Sequence, residues 1–526
     1  MRAGGFVAAG AALALTIPAA PAPAASPISR AACSMPRPFL ERTDRGIHGK
    51  RSGDIQIVTR QPDFVGPGYP HSGPWPYLQR VPIFLYGPGY VPAAGAVGRP
   101  VTSASLAPTV GELIGFDLPD AVEGPLVEAL VPEEERPEPP RLVVTVVWDG
   151  GGRIVLRTWP KAWPKLKGLI GQGAWFGRAT VGSSPSVTPA VHATIGTGVF
   201  PREHGLTDQA IRIKGRVTTP WAAGPSRLER PTLADLFDLA TGNQALVGVV
   251  ATEPGHLGMI GHGSSWAGGD SDNAVLKSST PGARWGLPGP IASSFSFPSY
   301  VNDVAGLAEA ADDLDRRDGR RDGRWRDNPI AGLKGGFDTP ARIPYQTAVI
   351  RELIRREGFG ADEVPDLLYV NHKAIDLVGH RWSLNSPEMR DTVGAQDADL
   401  PGLVQMLDEE VGPGRWVLAL TADHGINPHP SVSGAVTFDR AKVARAVAER
   451  FDDGDGVPLI QAVRPTQIFL RRGELRGSLG AVTRFLLRLR RSDVAAGAVP
   501  PGKAGGRALQ AVFPTARLGR LPCAPP

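Results

Sequence analysis

Three apolar runs in this chain end in carboxylates, and no other feature of the sequence restricts the fold as much. Leu142 to Trp148 (LVVTVVW) is continuous and β-branched, without alternation, and runs straight into Asp149-Gly150-Gly151. A strand with no polar face belongs in a parallel sheet covered on both sides. Leu367 to Asn371 (LLYVN) leads towards Asp376, and Val417 to Thr421 (VLALT) leads to Asp423-His424-Gly425. Ligands bind beyond the carboxyl ends of such strands, so acids placed there converge on one site.

The segments between these strands read as helices. Ser386 caps a helix with Pro387 at its first position, and apolar residues continue through Val393, Ala398, Leu403 and Leu407, with a kink expected at Pro401-Gly402. Leu233, Leu236, Phe237 and Ala240 form another helix, stopped at Gly242 and followed by a strand over Ala245 to Val250. Strands alternating with helices predict an α/β fold, a mostly parallel sheet with helices on both faces. Nearer the N-terminus, Val81 to Tyr86 (VPIFLY) reads as a strand closed by Gly87-Pro88-Gly89, and Leu106, Val110, Leu113 and Ile114 follow with helical spacing. Residues 131–140, VPEEERPEPP, suit an exposed linker, while 252–340, rich in Gly, Ser, Pro and Trp, read as a cap or insertion over the site. The catalytic core then comprises 141–251 and 341–526.

The net charge of +5 comes from basic residues interleaved with acidic ones, and this gives no case for binding a nucleic-acid duplex. Even the densest basic stretch, Arg316 to Arg326, alternates with Asp315, Asp318 and Asp322, as a solvated insertion would. Arg2, an apolar run from Phe6 to Ala20 and the small residues Ala22 and Ala24 fit a signal peptide over 1–24, so an exported protein is expected. No later apolar stretch reaches the roughly 20 residues of a membrane span, so stable membrane insertion is not expected. The two cysteines, Cys33 and Cys523, cannot build a thiolate metal site, and in an oxidising compartment they are expected to pair with each other.

Any metal must then be held by oxygen and nitrogen. Asp149, Asp376, Asp423 and His424 stand at strand ends, and His380 follows Asp376 by four residues, which turns both side chains the same way on a helix. Mixed Asp and His ligands suit divalent ions, zinc above all, although a single Asp at a strand end is more often a cap. Thr188 precedes Pro189 in PSVTPAVHAT, which puts its hydroxyl at a helix N-terminus. There the helix dipole favours an alkoxide or a phosphate oxygen; the alternative is a plain N-cap.

Taken together, PSVTPAVHATIGTGVFPREHGLTDQ, KAIDLVGHRW and ALTADHG resemble the nucleophile region and the two metal motifs of the type I phosphodiesterase/nucleotide pyrophosphatase family, in the alkaline phosphatase superfamily. The resemblance implies an alkaline phosphatase-like fold and a two-metal phosphohydrolase with two divalent ions, expected to be zinc. Thr188 would be its nucleophile, forming a phospho-threonine intermediate. One metal would be held by Asp149, Thr188, Asp423 and His424, the other by Asp376, His380 and a further His. Gln209 stands where the family usually has an Asn that binds a phosphoryl oxygen. His192 and His204 match no family ligand and read as structural. The expected partner is a small phosphorylated molecule such as a nucleotide or a phosphodiester. A sulfatase of the same superfamily would need a C/S-x-P-x-R motif, which Thr188-Pro189-Ala190 does not supply; an inert metal-binding protein is the other alternative.

In that family the last imidazole lies downstream of the ADHG-like motif, before a strand of the type VPIIFYG. Here the comparable segment is near the N-terminus, His71-Ser72-Gly73-Pro74 and then Val81 to Gly87, whereas His429 is the sole histidine after His424. The expectation is a circularly permuted chain, with residues 25–130 as the displaced C-terminal part of the core and His71 as the third ligand. A Cys33–Cys523 bridge would fasten the new ends.

Overall fold

The computed structural model describes residues 26–278 and 284–525; the expected signal peptide, 1–24, lies outside the described residues. Among the described residues, thirteen strands build the two larger sheets. In chain order they are β1 (Ile55–Thr59), β2 (Ile83–Tyr86), β3 (Gly95–Val97), β4 (Leu142–Trp148), β5 (Ala174–Phe176), β6 (Val247–Val250), β7 (Asn273–Lys277), β8 (Trp285–Gly286), β9 (Asp366–His372), β10 (Trp416–Thr421), β11 (Ile460–Val463), β12 (Gln467–Leu470) and β13 (Leu509–Pro514). The main sheet has nine strands in the order β8-β7-β6-β9-β4-β10-β2-β5-β3, and the small sheet runs β11-β12-β1-β13.

Strands β7, β6, β9, β4 and β10 are parallel, so their carboxyl ends share one edge of the sheet. Register makes the convergence specific. Trp148 lies opposite His372 and Val147 opposite Thr421, so Asp149, Lys373 and the Asp423 loop leave the sheet side by side. Strand β2 runs antiparallel to β10 with Ile83 opposite Thr421. The segment before β2, which carries His71, therefore arrives at the same edge.

Six helices matter for the site: α1 (Leu106–Leu113), α2 (Thr188–Thr197), α3 (Leu233–Ala240), α4 (Arg342–Glu357), α5 (Ala374–Trp382) and α6 (Pro387–Glu410). Along β4, Val143 and Val147 face a core shared with α1, α2 and α3, while Leu142, Val144, Val146 and Trp148 face one shared with α4, α5 and α6. This is why LVVTVVW carries no alternation: both faces are dry, and each fully buried aliphatic side chain contributes about 1.5–3 kcal/mol. Helix α6 starts as its sequence dictates, with the Ser386 hydroxyl accepting from Met389 N. Helix α6 continues through Pro401, where the kink is expected, and Pro401 and Gly402 are exposed.

Within residues 252–340, β7 and β8 extend the main sheet and the helix Leu307–Asp315 packs on α4. Residues 133–139 are largely exposed, with one short turn at Glu133–Glu135. The two ends of the chain meet. Strand β1 pairs with both β12 and β13, and Cys33, at the end of the helix Pro27–Cys33, is disulfide-bonded to Cys523 across a separation of 490 residues.

Candidate active site

Each element ending delivers one side chain. Asp149 is the first residue beyond β4, and Gly150 turns there with φ +75°, where a Cβ would stand 3.1 Å from the Asp376 Cα. Only glycine permits that approach. The Gly150 N–H donates to Asp423 Oδ1 at 3.0 Å, tying the ends of β4 and β10 together. Thr188 opens α2, with Pro189 behind it. Asp376 and His380 sit one turn apart on α5, with His380 Nε2 3.4 Å from Asp376 Oδ1.

These residues meet in a buried cluster. His71 Nε2 lies 3.5 Å from Asp376 Oδ1, and His424 Nε2 lies 3.2 Å from Asp423 Oδ2 and 3.5 Å from Asp149 Oδ1. The His71 and His424 rings are stacked, with centroids 3.4 Å apart. Asp149, Asp376, Asp423, His424, Thr188 and His71 are all buried, whereas His380 is partly exposed and marks the open side. The Nδ1 atoms of His71, His380 and His424 face the backbone carbonyls of Ser186, Gly68 and Gly425. Each ring is thereby oriented with Nε2 towards the carboxylates, the orientation that metal-binding imidazoles take.

Four atoms of the cluster are buried without a hydrogen-bond partner: Asp149 Oδ1, Asp376 Oδ1, Asp423 Oδ2 and His424 Nε2. Orphaned groups of this kind are costly unless a cation meets them. Two donor sets, His71/Asp376/His424 and Asp149/Asp423/His424, each have ligand atoms within 4.8 Å of one another. The residues fit a pair of divalent cations, and three carboxylates with imidazoles are the donor chemistry such ions take. His429 stands apart from this cluster: it is half-buried, and its Nδ1 accepts from Ser431 N to cap the turn Pro430–Ser433.

The charge that occupies this region belongs to Lys373. Its Nζ lies 2.9 Å from Asp149 Oδ2, 2.8 Å from Asp376 Oδ2 and 3.3 Å from Glu253 Oε1, and it donates to Thr188 Oγ1 at 3.2 Å. Burial opposes its charge, but Asp149, Asp376 and Glu253 more than offset that and hold Lys373 well above its ordinary value. Burial likewise pushes the Asp149 and Asp376 carboxyls up; Lys373 and the neighbouring imidazoles outweigh it and keep both below the usual carboxylate range. For His424, burial is overcome by Asp423, Asp149 and Asp376, which raise it to about 9. His71 is pushed well below its ordinary value by burial and by the neighbouring His424.

Sequence reasoning did not find Lys373. The available signal was its place directly after the strand LLYVNH, three residues before Asp376 and at the converging edge. It also missed the groups behind Asp149. Asn371 Nδ2 donates to Asp149 Oδ2 at 2.9 Å, and His256 Nε2 lies 3.2 Å from the same oxygen. His192 Nδ1 lies 2.9 Å from the Thr188 carbonyl, and its Nε2 lies 3.1 Å from Asn371 Nδ2. Gln209 is half-buried before a short hairpin, and its neighbour Asp208 accepts from Gln467 Nε2 at 2.9 Å. Among the described residues no hydrogen bond joins the Gln209 side chain to the cluster.

A mostly parallel α/β sheet whose strand ends gather Asp, His and a Thr at a helix N-terminus defines a metal-dependent hydrolase of the alkaline phosphatase type. The chain belongs to the type I phosphodiesterase / nucleotide pyrophosphatase family, whose profile matches residues 143–474, and with it to the phosphoric ester hydrolases. Among its relatives, a protein named calcium-transporting ATPase from Myroides odoratus is 22% identical over 386 residues, covering 64% of this chain and 70% of that protein. Alkaline phosphatase PafA from Elizabethkingia meningoseptica is 25% identical over 375 residues, covering 60% of this chain and 65% of PafA. Alkaline phosphatase PhoV from Synechococcus elongatus is 24% identical over 347 residues, covering 55% and 60%. The matches to PafA and PhoV thus span less than two thirds of those proteins. The crystal structure of wild-type PafA superposes with a TM-score of 0.53 at 19% identity over 66% of this chain and 76% of that one, which establishes the shared fold.

Proposed function

We propose that this chain is an exported two-zinc phosphohydrolase that cleaves phosphoric ester or pyrophosphate bonds of small phosphorylated molecules through a phospho-threonine intermediate on Thr188. The observation that carries the reading is the coincidence of the nucleophile with the metal donors. Thr188 Oγ1 is held by Lys373 Nζ at 3.2 Å, and the same Nζ touches Asp149 and Asp376, whose Oδ1 atoms have no partner. In this reading Asp149, Thr188, Asp423 and His424 hold one ion, and Asp376, His380 and His71 the other. When bound, the two ions would supply positive charge to the nucleophile, the leaving oxygen and the nonbridging oxygens. Thr188 attacks phosphorus in line from the N-terminus of α2, whose dipole favours the alkoxide. Asn371 and His256 fix the orientation of Asp149, and the backbone carbonyls of Ser186, Gly68 and Gly425 fix the three imidazoles. Gln209 is kept as the candidate donor to a phosphoryl oxygen. Export is supported by the Cys33–Cys523 bridge, which fits an oxidising compartment.

Lys373 bears on substrate choice. A monoester dianion needs more positive charge than a diester, and a buried ammonium beside Thr188 Oγ1 supplies some; this favours activity on monoesters as well as diesters. Rates on a bis-aryl and a mono-aryl phosphate, before and after chelation and again after Zn2+ is restored, test the proposal. Turnover should vanish with the chelator and return with zinc. Hydrolysis indifferent to the chelator, or a zinc-loaded protein inert on every phosphate ester, would overturn it.

A further inference from the structure

A second group of acids lies at the other end of the main sheet. Asp270 and Asp272 immediately precede β7, whose first residue, Asn273, lies opposite Gly248 near the start of β6. They therefore stand off the amino ends of the parallel strands, away from Asp149. Asp238 reaches them from the second half of α3. One carboxylate oxygen from each of the three lies within 4.8 Å of the others.

The cluster is uncompensated. Asp238 is 4% exposed and Asp272 8%, while Asp270 opens to solvent. Asp238 Oδ1 is fully enclosed and has no hydrogen-bond partner. Among the described residues, no hydrogen bond or ion pair reaches the side chain of Asp238, Asp270 or Asp272. The adjacent Asp235 shows what a satisfied acid looks like in the same neighbourhood. It accepts from Thr232 N at 2.8 Å and from His262 N at 2.7 Å, and it lies 2.9 Å from His262 Nδ1. The other ring nitrogen of His262 faces the Leu228 carbonyl at 3.0 Å, so this imidazole has nothing left for Asp238 or Asp272. Burial, and then repulsion from Asp270 and Asp235, raise the Asp238 carboxyl to about 7. Asp272 goes well above the usual range for the same kind of reason, with no cation acting on it.

We propose that Asp238, Asp270 and Asp272 form a structural site for one hard divalent cation, Ca2+ in preference to Mg2+, separate from the catalytic pair. All the donors are carboxylate oxygens, with no imidazole or thiolate, which selects hard ions. The exposed Asp270 leaves one side open to water, and Ca2+ accepts the irregular geometry of carboxylates drawn from a helix and a loop, where Mg2+ demands a near-ideal octahedron. The ion would pin the loop before β7 to α3 and close the end of the sheet opposite the chemistry.

The test uses the full protein with its catalytic site saturated with Zn2+. Equilibrium dialysis against Ca2+, and thermal melts in Ca2+ or EGTA, are run on wild type, Asp270→Asn and Asp272→Asn. Asp270 is exposed, so its substitution carries little folding risk. One Ca2+ per chain is expected, with a rise in melting temperature of about 2–3 °C at a hundredfold excess over Kd. Both effects should weaken at least tenfold in either variant, and Asp238→Asn should raise the melting temperature in EGTA by removing the unpaired charge. Mg2+ binding more weakly than Ca2+ with the same sensitivity to the variants also supports the site, whereas Mg2+ binding as tightly as Ca2+ overturns the stated preference. Absence of any Ca2+ or Mg2+ effect overturns the site. So does binding that persists in Asp272→Asn, which would put the ion elsewhere, for example at the exposed acids Asp453 and Asp455 with Glu474.

Discussion

Replacing Lys373 by Met separates its structural from its metal-competing role. Nζ sits within 3 Å of one oxygen of Asp149 and one of Asp376, and none of the three residues is more than 5% exposed, so solvent screens the interaction little. Removing one member of a buried ion pair costs about 3–5 kcal/mol, because the surviving charges stay buried and unpaired. That cost should fall on the metal-free protein. Once divalent ions are bound, the two carboxylates have another cation and most of the penalty should disappear. Linkage then requires the difference to reappear as tighter metal binding. A recovered 3 kcal/mol is on the order of a hundredfold in the product of the two binding constants. Denaturant or thermal unfolding of chelated and zinc-loaded protein, paired with zinc competition against a chelating dye, measures both sides of the cycle. If Lys373→Met destabilises the two forms equally, or weakens zinc binding, Lys373 does not compete with metal for Asp149 and Asp376. The same variant should lose more activity on a monoester than on a diester.

Thr188→Ala should abolish turnover while leaving zinc content nearly unchanged, since three protein ligands remain for that ion; metal analysis beside a phosphate-release assay checks this, and substantial residual hydrolysis by a folded variant refutes the nucleophile assignment. His71→Ala should lose one zinc and activity whereas His429→Ala should keep both, because His71 faces Asp376 and His429 caps a turn. Cys33→Ser or Cys523→Ser should lower stability by about 2–5 kcal/mol, read as a lower melting temperature under oxidising conditions, with no change in kcat.

The converging edge was legible because strands buried on both faces need continuous apolar sequence, and a chain that reaches Asp149 or Asp423 at the end of such a run has left the sheet at a known place. Helix α6 was equally plain, since Ser386 and Pro387 state its start in local chemistry. Pro401 inside α6 does not end the helix, and whether the surroundings absorb its lost N–H is a tertiary property that no local signal states. Lys373 was hidden for a related reason. A lysine beside an aspartate is ordinarily solvated, and nothing local says that β4, β9 and α2 will close over it. The Asp238, Asp270 and Asp272 group draws on an interior helix position and a loop more than thirty residues away, so no spacing in the sequence announces it.

The family profile begins at residue 143, inside β4, and leaves out residues 25–130, yet β2 from that region lies in the main sheet between β10 and β5, and His71 reaches Asp376. A separate N-terminal domain would have its own core. Instead Ile83 and Leu85 pack in one core with Val143, Val417 and Ala419, and β1 is held between two strands from the far end of the chain. A segment that completes the sheet and brings His71 to Asp376, but precedes the first motif of its family, fits a circular permutation, which we infer for this chain. The largely exposed stretch 131–140 would then be the joint between the old ends, and the new ends would be those tied by Cys33 and Cys523. Permutation is tolerated where the termini lie close together at the surface. A rearranged gene that starts at residue 141 and joins residue 525 to residue 26 by a short flexible linker should therefore fold, bind zinc and keep its activity. If it fails to fold while the linker alone, inserted in the original order, is tolerated, the inference is wrong.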